Sequence, residues 1–257
     1  MKKSKKPLVS VIINCFNGEK FLHECLNSVL TQSYYNWEII FWDNISNDNS
    51  KKIFKSYKDK RFKYFLAKKH TNLYEARNLA VKRAHGDIIT FIDVDDLWLK
   101  EKLSKQIKYF RDNKSIDFVY SNLFKIKKYL IFNLKKKIFK YELPSGFICD
   151  KILYQYSVGW PTVAIKKKIL KSKKPFNEKL DMLSDYDFVI KYSMRKKIGA
   201  LQEPLAIYRE HSNQLSRKNF FIQAKQYTIW FNKIKNSKNI KLYKNFSKLK
   251  EKYELLN

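Results

Sequence analysis

Residues 87–98 read DIITFIDVDDLW, a short apolar run followed by three carboxylates, Asp93, Asp95 and Asp96, in four positions. A run of that length bounded by polar residues reads as a buried strand. The acids that follow stand out because the chain carries 54 Lys and Arg against 24 Asp and Glu. Adjacent carboxylates repel unless a cation joins them. Hard oxygen ligands favour Mg²⁺ or Mn²⁺, which bind one or two carboxylates together with substrate phosphates. The alternative is structural: Asp96 caps the next helix and its neighbours are solvated.

Four more apolar runs have the same character: LVSVII (8–13), WEIIFW (37–42), RFKYFL (61–66) and IDFVYS (116–121). Helical periodicity fills the gaps. Phe21, Leu22, Cys25, Leu26, Val29 and Leu30 form one stripe within 19–31. Leu73, Ala76, Leu79 and Ala80 do so within 73–84, with Gly86 placed as a C-terminal cap. Leu99, Leu103, Ile107 and Phe110 repeat the spacing within 99–112. Alternating strands and helices predict an α/β fold, a Rossmann-like open sheet, mostly parallel and flanked by helices. Such sheets bind ligands at the carboxyl ends of their strands, so the acidic cluster belongs on that edge.

The neighbouring strand ends add to it. The first ends in NCFNGEKF (14–21), where Asn17-Gly18 opens a helix whose N-terminus can face an anion. Asn17 and Glu19 are therefore candidate donor-binding residues. The second ends in WDNISND (42–48), placing Asp43 beside a base or ribose, or simply in a turn. An aromatic, a carboxylate and an acidic pair on three strand ends describe a nucleotide site.

Beyond residue 122 the pattern weakens to a hairpin or irregular strands. A short helix near 147–155, a strand at 161–167, a helix at 185–197 and an extended segment at 200–211 follow. From 216 the chain is Lys-rich with aromatics at helical spacing. The organisation read from this is one domain over 1–215 and a basic amphipathic helical tail over 216–257. The domain divides at about residue 122 into a nucleotide-binding half (1–122) and a second half (123–215).

The 257 residues are 44% hydrophobic, which supports a packed core and argues against global disorder. A net charge of +30 favours anionic partners. Cys15, Cys25 and Cys149 form no C-x-x-C pair, which suits a reduced, cytoplasmic setting. The start, MKKSKKPLVSVIINCF, has an apolar run of about six residues and no small-residue cleavage site, so it does not read as a signal peptide. No stretch reaches the ~18 apolar residues of a membrane-spanning helix.

Taken in order, VSVIINCFNGEKF, WDNISND, EARNLAVKRAHGDIITFIDVDDLW, WPTVAI, SDYDFVIKYSMR and LAIYREHSNQLS resemble the family 2 glycosyltransferases over about residues 7–217. The resemblance implies a GT-A fold and an inverting sugar transfer from a nucleotide-sugar, here a UDP-sugar. It implies that Phe16 flanks the base, Asp43 binds it, and Arg77 lies near the diphosphate. Asp93 would contact ribose or the metal site, and Asp95 would ligate Mn²⁺ or Mg²⁺. Asp185 would be the general base, with Trp160, Arg209 and His211 lining the pocket near phosphates or acceptor. The acceptor would be a saccharide or a lipid-linked sugar of cell-surface polysaccharide synthesis, with no nucleic acid as partner. Asn14, Asn44, Ile45 and Ser184 depart from the family's usual Pro, Asp, Gly and Glu. The Asn44 and Ile45 changes bear on donor-base selectivity, and Asn44 with Ser184 leaves room for an inactive homologue.

Two other classes compete. A haloacid dehalogenase-type phosphatase also places D-x-D after a buried strand, but Leu97 stands where Thr or Val is usual. A nucleic-acid-binding protein would use the charge, yet lysines are spread along the whole chain with no recognition motif. The tail offers Phe220, Phe221, Tyr227, Trp230, Phe231, Ile234, Tyr243 and Phe246 as an apolar face. With its lysines it could hold the protein peripherally at the anionic inner face of the cytoplasmic membrane. The rival is that this face packs on the domain.

Overall fold

The structure is a computed structural model that describes residues 6–128, 133–170, 172, 174–212, 214, 220–236 and 238–254. Its first half alternates as expected: β1 (Val9–Cys15), α1 (Glu19–Leu30), β2 (Trp37–Asp43), α2 (Ser50–Ser56), β3 (Phe62–Leu66), α3 (Leu73–Val81) and β4 (Ile88–Phe91). Then come β5 (Leu97–Trp98), α4 (Lys102–Asp112), β6 (Phe118–Lys128), β7 (Asn133–Lys137), α5 (Cys149–Tyr154), β8 (Ala164–Lys166), α6 (Ser184–Ser193) and β9 (Gly199–Glu210). Three helices close the chain: Phe220–Ile234, Lys238–Lys241 and Phe246–Glu254.

Nine strands form one mixed sheet in the order β3-β2-β1-β4-β8-β6-β9-β5, with β7 paired to β6. The four strands β3, β2, β1 and β4 are parallel. β8 is antiparallel to both β4 and β6, so it joins the two halves of the sheet. The period of two sorts the strand residues onto opposite faces. Ile12, Ile40, Trp42 and Phe91 pack with α3, α5, α6 and the tail. Val11, Ile13, Ile39 and Phe41 pack with α1, α2 and α4. Because both faces are covered, the central strands are mostly apolar, with only a few buried polar residues such as Ser10, Glu38 and Thr90 among them.

Three expectations need correction. The strand expected at 116–121 runs on to Lys128, because Phe118, Val119, Tyr120 and Leu123 are all buried and the chain never leaves the sheet. Gly86 is not a helix cap. It lies against β1, where a Cβ would stand 2.6 Å from Ser10 N and 2.7 Å from Leu8 O, so only glycine fits that approach. The tail's aromatic face is not presented to a membrane. Tyr227, Trp230, Phe231, Ile234, Ile240 and Leu249 are buried against the domain, and Tyr243 and Phe246 pack beside them. The side chains of Phe220 and Phe221, and all of residues 215–219, lie outside the described residues. No helix among the described residues is long and apolar enough to cross a membrane.

Trp230 also donates Nε1–H to Asp187 Oδ1 at 3.0 Å, and Lys191 Nζ reaches Asp187 Oδ2 at 2.6 Å. This buried carboxylate pins the tail to α6. Trp230→Ala should destabilise the protein by roughly 3–5 kcal/mol, as large-to-small core changes do, and the loss of the hydrogen bond to Asp187 Oδ1 adds to it. Urea unfolding monitored by circular dichroism checks it; a change below about 1 kcal/mol would mean that the tail is not part of the folded unit.

Candidate active site

The carboxyl ends of β1, β2, β3 and β4 form one edge. Strand register pairs Cys15 with Asp43 and Asp43 with Leu66, so Phe16, Asn44 and Ala67 leave adjacent strands together. Phe16 is 53% exposed, with its ring centroid 4.4 Å from that of His70. Asp43 is 1% exposed; its oxygens accept from Ser46 N at 2.8 Å and Tyr64 Oη–H at 2.6 Å. In this state it shapes the turn.

The start of α1 is not a free anion site. Glu19 N donates to Asp48 Oδ2 at 2.9 Å and Gly18 N to Ser50 Oγ at 2.9 Å. Glu19 in turn accepts from Asn49 N and Nδ2, at 2.9 and 2.8 Å. The two helix starts cap each other, and the positive end of α1 already holds a carboxylate. Asn17 accepts from Asn47 N at 2.9 Å and takes a left-handed φ of 54°, which asparagine tolerates.

Asn44 is committed to Thr71. Its Nδ2 donates to Thr71 O at 2.7 Å while Oδ1 accepts from Thr71 N at 3.1 Å. Only an amide can do both, which explains why the usual Asp is absent here. Asn44→Asp should destabilise by about 1–3 kcal/mol by leaving the buried Thr71 carbonyl facing a carboxylate; a thermal denaturation curve unchanged from wild type would contradict this. Ile45 has φ 65°, strained for a β-branched residue and explained by the glycine that the family favours there.

Past β4 the acids separate by environment. Asp93 Oδ1 accepts from Arg77 Nη2 at 2.7 Å, and the Arg77 side chain is only 3% exposed. Arg77 lies with its guanidinium carbon 5.1 Å from the Tyr74 ring centre and 5.4 Å from that of Trp160. Asp95 Oδ2 lies 2.9 Å from His211 Nε2. Burial pushes the Asp95 carboxyl up, the Asp93 charge adds to this, and the His211 hydrogen bond opposes it. Asp96 does not cap the next helix. It turns inward, 2% exposed, and accepts from Arg209 N at 3.1 Å, while α4 begins after Glu101. Burial pushes it well above the usual carboxylate range, and the negative Asp95 and Asp93 add to this.

Behind this loop Lys102 is fully buried. Its Nζ donates to Thr90 Oγ1 at 2.9 Å and Gln106 Oε1 at 2.8 Å, and it lies 4.0 Å from the Trp98 ring centre. Trp98 Nε1–H donates to Pro161 O at 2.8 Å. These bonds fix the chain that carries the acids against β4 and the segment before β8.

Arg209 turns its guanidinium to Glu24 at 3.1 Å, with its central carbon 4.8 Å from the Phe21 ring centre. Its Nη2 is buried without a protein partner among the described residues. Trp160 Nε1 is likewise buried and unpartnered among them. Asp185 sits in the first turn of α6 and accepts from Tyr74 Oη–H at 2.8 Å. Burial pushes its carboxyl up, while the nearby Arg77 charge and the Tyr74 hydrogen bond oppose this. Arg77 therefore stands electrostatically between Asp93 and Asp185 and couples the two sides of the cleft.

Sequence reasoning missed Tyr74 and Tyr64. Tyr74 lies three residues before Arg77 on the same helix face, a spacing that could have flagged it. Tyr64 sits in a β-strand with no local signal that it faces Asp43.

A divalent cation fits one part of this arrangement. Asp95 and His211 are both metal ligands by type, and a divalent cation held by them would replace their direct 2.9 Å hydrogen bond. No cluster of three potential ligands occurs among the described residues. The remaining positions would fall to substrate oxygens and water.

Comparisons with known proteins identify the family. Residues 10–171 match the family model for glycosyl transferase family 2, and the chain belongs to that family. An uncharacterized glycosyltransferase of Methanocaldococcus jannaschii is 33% identical over 263 residues, covering 94% of this chain and 86% of the relative. The Escherichia coli enzyme WfgD is named a UDP-Glc:alpha-D-GlcNAc-diphosphoundecaprenol beta-1,3-glucosyltransferase. It is 33% identical over 163 residues, covering 63% of this chain and 62% of that enzyme. Residues 1–349 of S. aureus TarS, solved with UDP-GlcNAc, superpose with a TM-score of 0.72 at 22% identity, covering 90% of this chain and 67% of the other. The GT-A fold is thus shared, and the protein is a glycosyltransferase. The phosphatase and nucleic-acid readings are not favoured.

Proposed function

We propose that this enzyme transfers a sugar, with inversion, from a UDP-sugar to a saccharide or lipid-linked acceptor in cell-surface polysaccharide synthesis at the cytoplasmic side of the membrane. The observation that carries the reading is the buried Arg77, ion-paired with Asp93 at 2.7 Å and close enough to Asp185 for its charge to pull that carboxyl's pKa down against the effect of burial. Tyr74, which donates to Asp185, lies against the same guanidinium. WfgD, named for a UDP-glucose donor and a diphosphoundecaprenol-linked acceptor, supports the substrate classes.

In this reading Phe16 stacks against the base, beside Asp43. Asp95 and His211 hold Mn²⁺ or Mg²⁺, with Asp93 beside them; bound there, the cation offsets the charge that builds on the diphosphate. Arg77, already desolvated, contributes a fixed positive charge to the same leaving group. Asp185 removes the acceptor hydroxyl proton as that oxygen attacks the anomeric carbon. Its depressed acidity suits a base, because a carboxylate with a raised pKa accepts a proton more readily. Trp160 and Arg209 line the cleft with buried donors that a ligand oxygen could satisfy. The presence of Asp95, Arg77 and Asp185 together supports an active enzyme over a degenerate one.

A thermal-shift panel of nucleotide-sugars with and without Mn²⁺ tests this. UDP-sugars should stabilise the protein by roughly 2.7 kcal/mol at 100 times their Kd, and only when the metal is present. A panel in which no nucleotide-sugar shifts the transition would overturn the reading.

A further inference from the structure

Beside α6, on a flank roughly a quarter-turn round the helix from Asp185, lies an open cleft of about 960 Å³. Half-buried Phe188 and Tyr192 give it an aromatic surface, backed by the buried Phe176, whose ring centroid is 5.4 Å from that of Phe188. Seven Lys and Arg side chains line it against three carboxylates. All three carboxylates are already neutralised by lining lysines. Asp117 meets Lys168 at 2.8 Å, Glu178 meets Lys174 at 2.6 Å, and Asp187 meets Lys191 at 2.6 Å. The other four cations, Lys179, Arg195, Lys196 and Lys233, are exposed and have no acidic partner among the described residues. Like charges held around one concavity raise the local positive potential, which favours an anionic occupant.

We infer that this cleft binds an anionic glycan, the segment of the acceptor chain remote from the hydroxyl that receives the sugar. This rests on the transferase reading above. Aromatic faces pack against the C–H faces of sugar rings, and the rim cations meet carboxylates or other anionic substituents. A flat bilayer does not fit as well, because the aromatic residues are recessed below the charged rim. Position fits too. Asp187 and Lys191 on the cleft side share α6 with Asp185, and a helix is only about 10 Å across. A chain of a few sugars running round α6 would reach from the cleft towards the base. The tail contributes through Lys233 and through Trp230, which holds Asp187.

The test uses the full chain and polygalacturonate as probe, with neutral dextran as control, read by affinity electrophoresis at low salt. Wild type should be retarded by polygalacturonate and not by dextran, and the retardation should fade as NaCl is raised. The variant Lys179→Glu, Arg195→Glu, Lys196→Glu, Lys233→Glu should bind at least tenfold more weakly. A second variant, Lys51→Glu, Lys52→Glu, Lys60→Glu, Lys63→Glu, removes the same formal charge at exposed positions elsewhere and should bind like wild type. Equal weakening in both variants would reduce the effect to net charge and overturn the proposal. So would the absence of binding, or phosphatidylglycerol vesicles that depend on the four cleft cations while polygalacturonate does not bind. Release of UDP from UDP-sugars is followed in parallel. If polygalacturonate binding depends on the cleft while no UDP-sugar is turned over, the cleft stands and the transferase reading falls.

Discussion

Asp185→Asn should lower turnover by roughly 10²–10⁴-fold, the usual range for loss of a general base, with donor affinity nearly unchanged. Asparagine keeps the size and can still accept from Tyr74, but it cannot take a proton. Burial raises the Asp185 pKa from its ordinary value of 3.8. The base works only when ionised, so kcat/KM should fall as pH drops through that raised pKa, and this acid limb should vanish in Asp185→Asn. Tyr74→Phe removes a hydrogen bond that favours the ionised form, so the limb should move to higher pH. Asp187→Asn should behave differently. Its oxygens serve Trp230 and Lys191, so it should lose stability while retaining turnover. A pH–rate profile for the three variants separates the roles. Wild-type turnover in Asp185→Asn would move the base elsewhere.

Asp95→Asn should lower turnover by roughly 10²–10³-fold, comparable to removing one electrostatic stabiliser of a developing anion. UDP binding in wild type should weaken sharply when EDTA removes the divalent ions, and the variant should show little difference with or without them. His211→Ala should resemble Asp95→Asn in direction, because the two side chains face each other at 2.9 Å. Isothermal titration with Mn²⁺ alone gives a readout independent of catalysis. Equal UDP affinity with and without EDTA in wild type would contradict the assignment.

The sequence revealed much of this because its strongest signals are local. Continuous apolar runs and helical stripes follow from burial on two faces of a sheet, and they located β1 to β4 and α1, α3 and α4. The acidic loop was legible because three carboxylates in a basic chain are conspicuous. What stayed hidden depends on contacts between distant segments. The swap of Asp for Asn at 44 reads as loss of function until the pairing with Thr71 is seen. The start of α1 reads as an anion site until Asp48, about 30 residues away, is found covering it. The tail's aromatic stripe is equally suited to a bilayer or a protein core, and periodicity alone cannot tell which partner it meets.

The most direct test follows the anomer released when water replaces the acceptor. UDP-α-linked hexoses incubated with the protein and Mn²⁺ should be slowly hydrolysed, and ¹H NMR can resolve the hexose before it mutarotates. A single displacement with Asp185 as base predicts that the β-anomer appears first and that its release collapses in Asp185→Asn. Early appearance of the α-anomer, or release that is unchanged in the variant, would contradict an inverting transfer driven by this carboxylate.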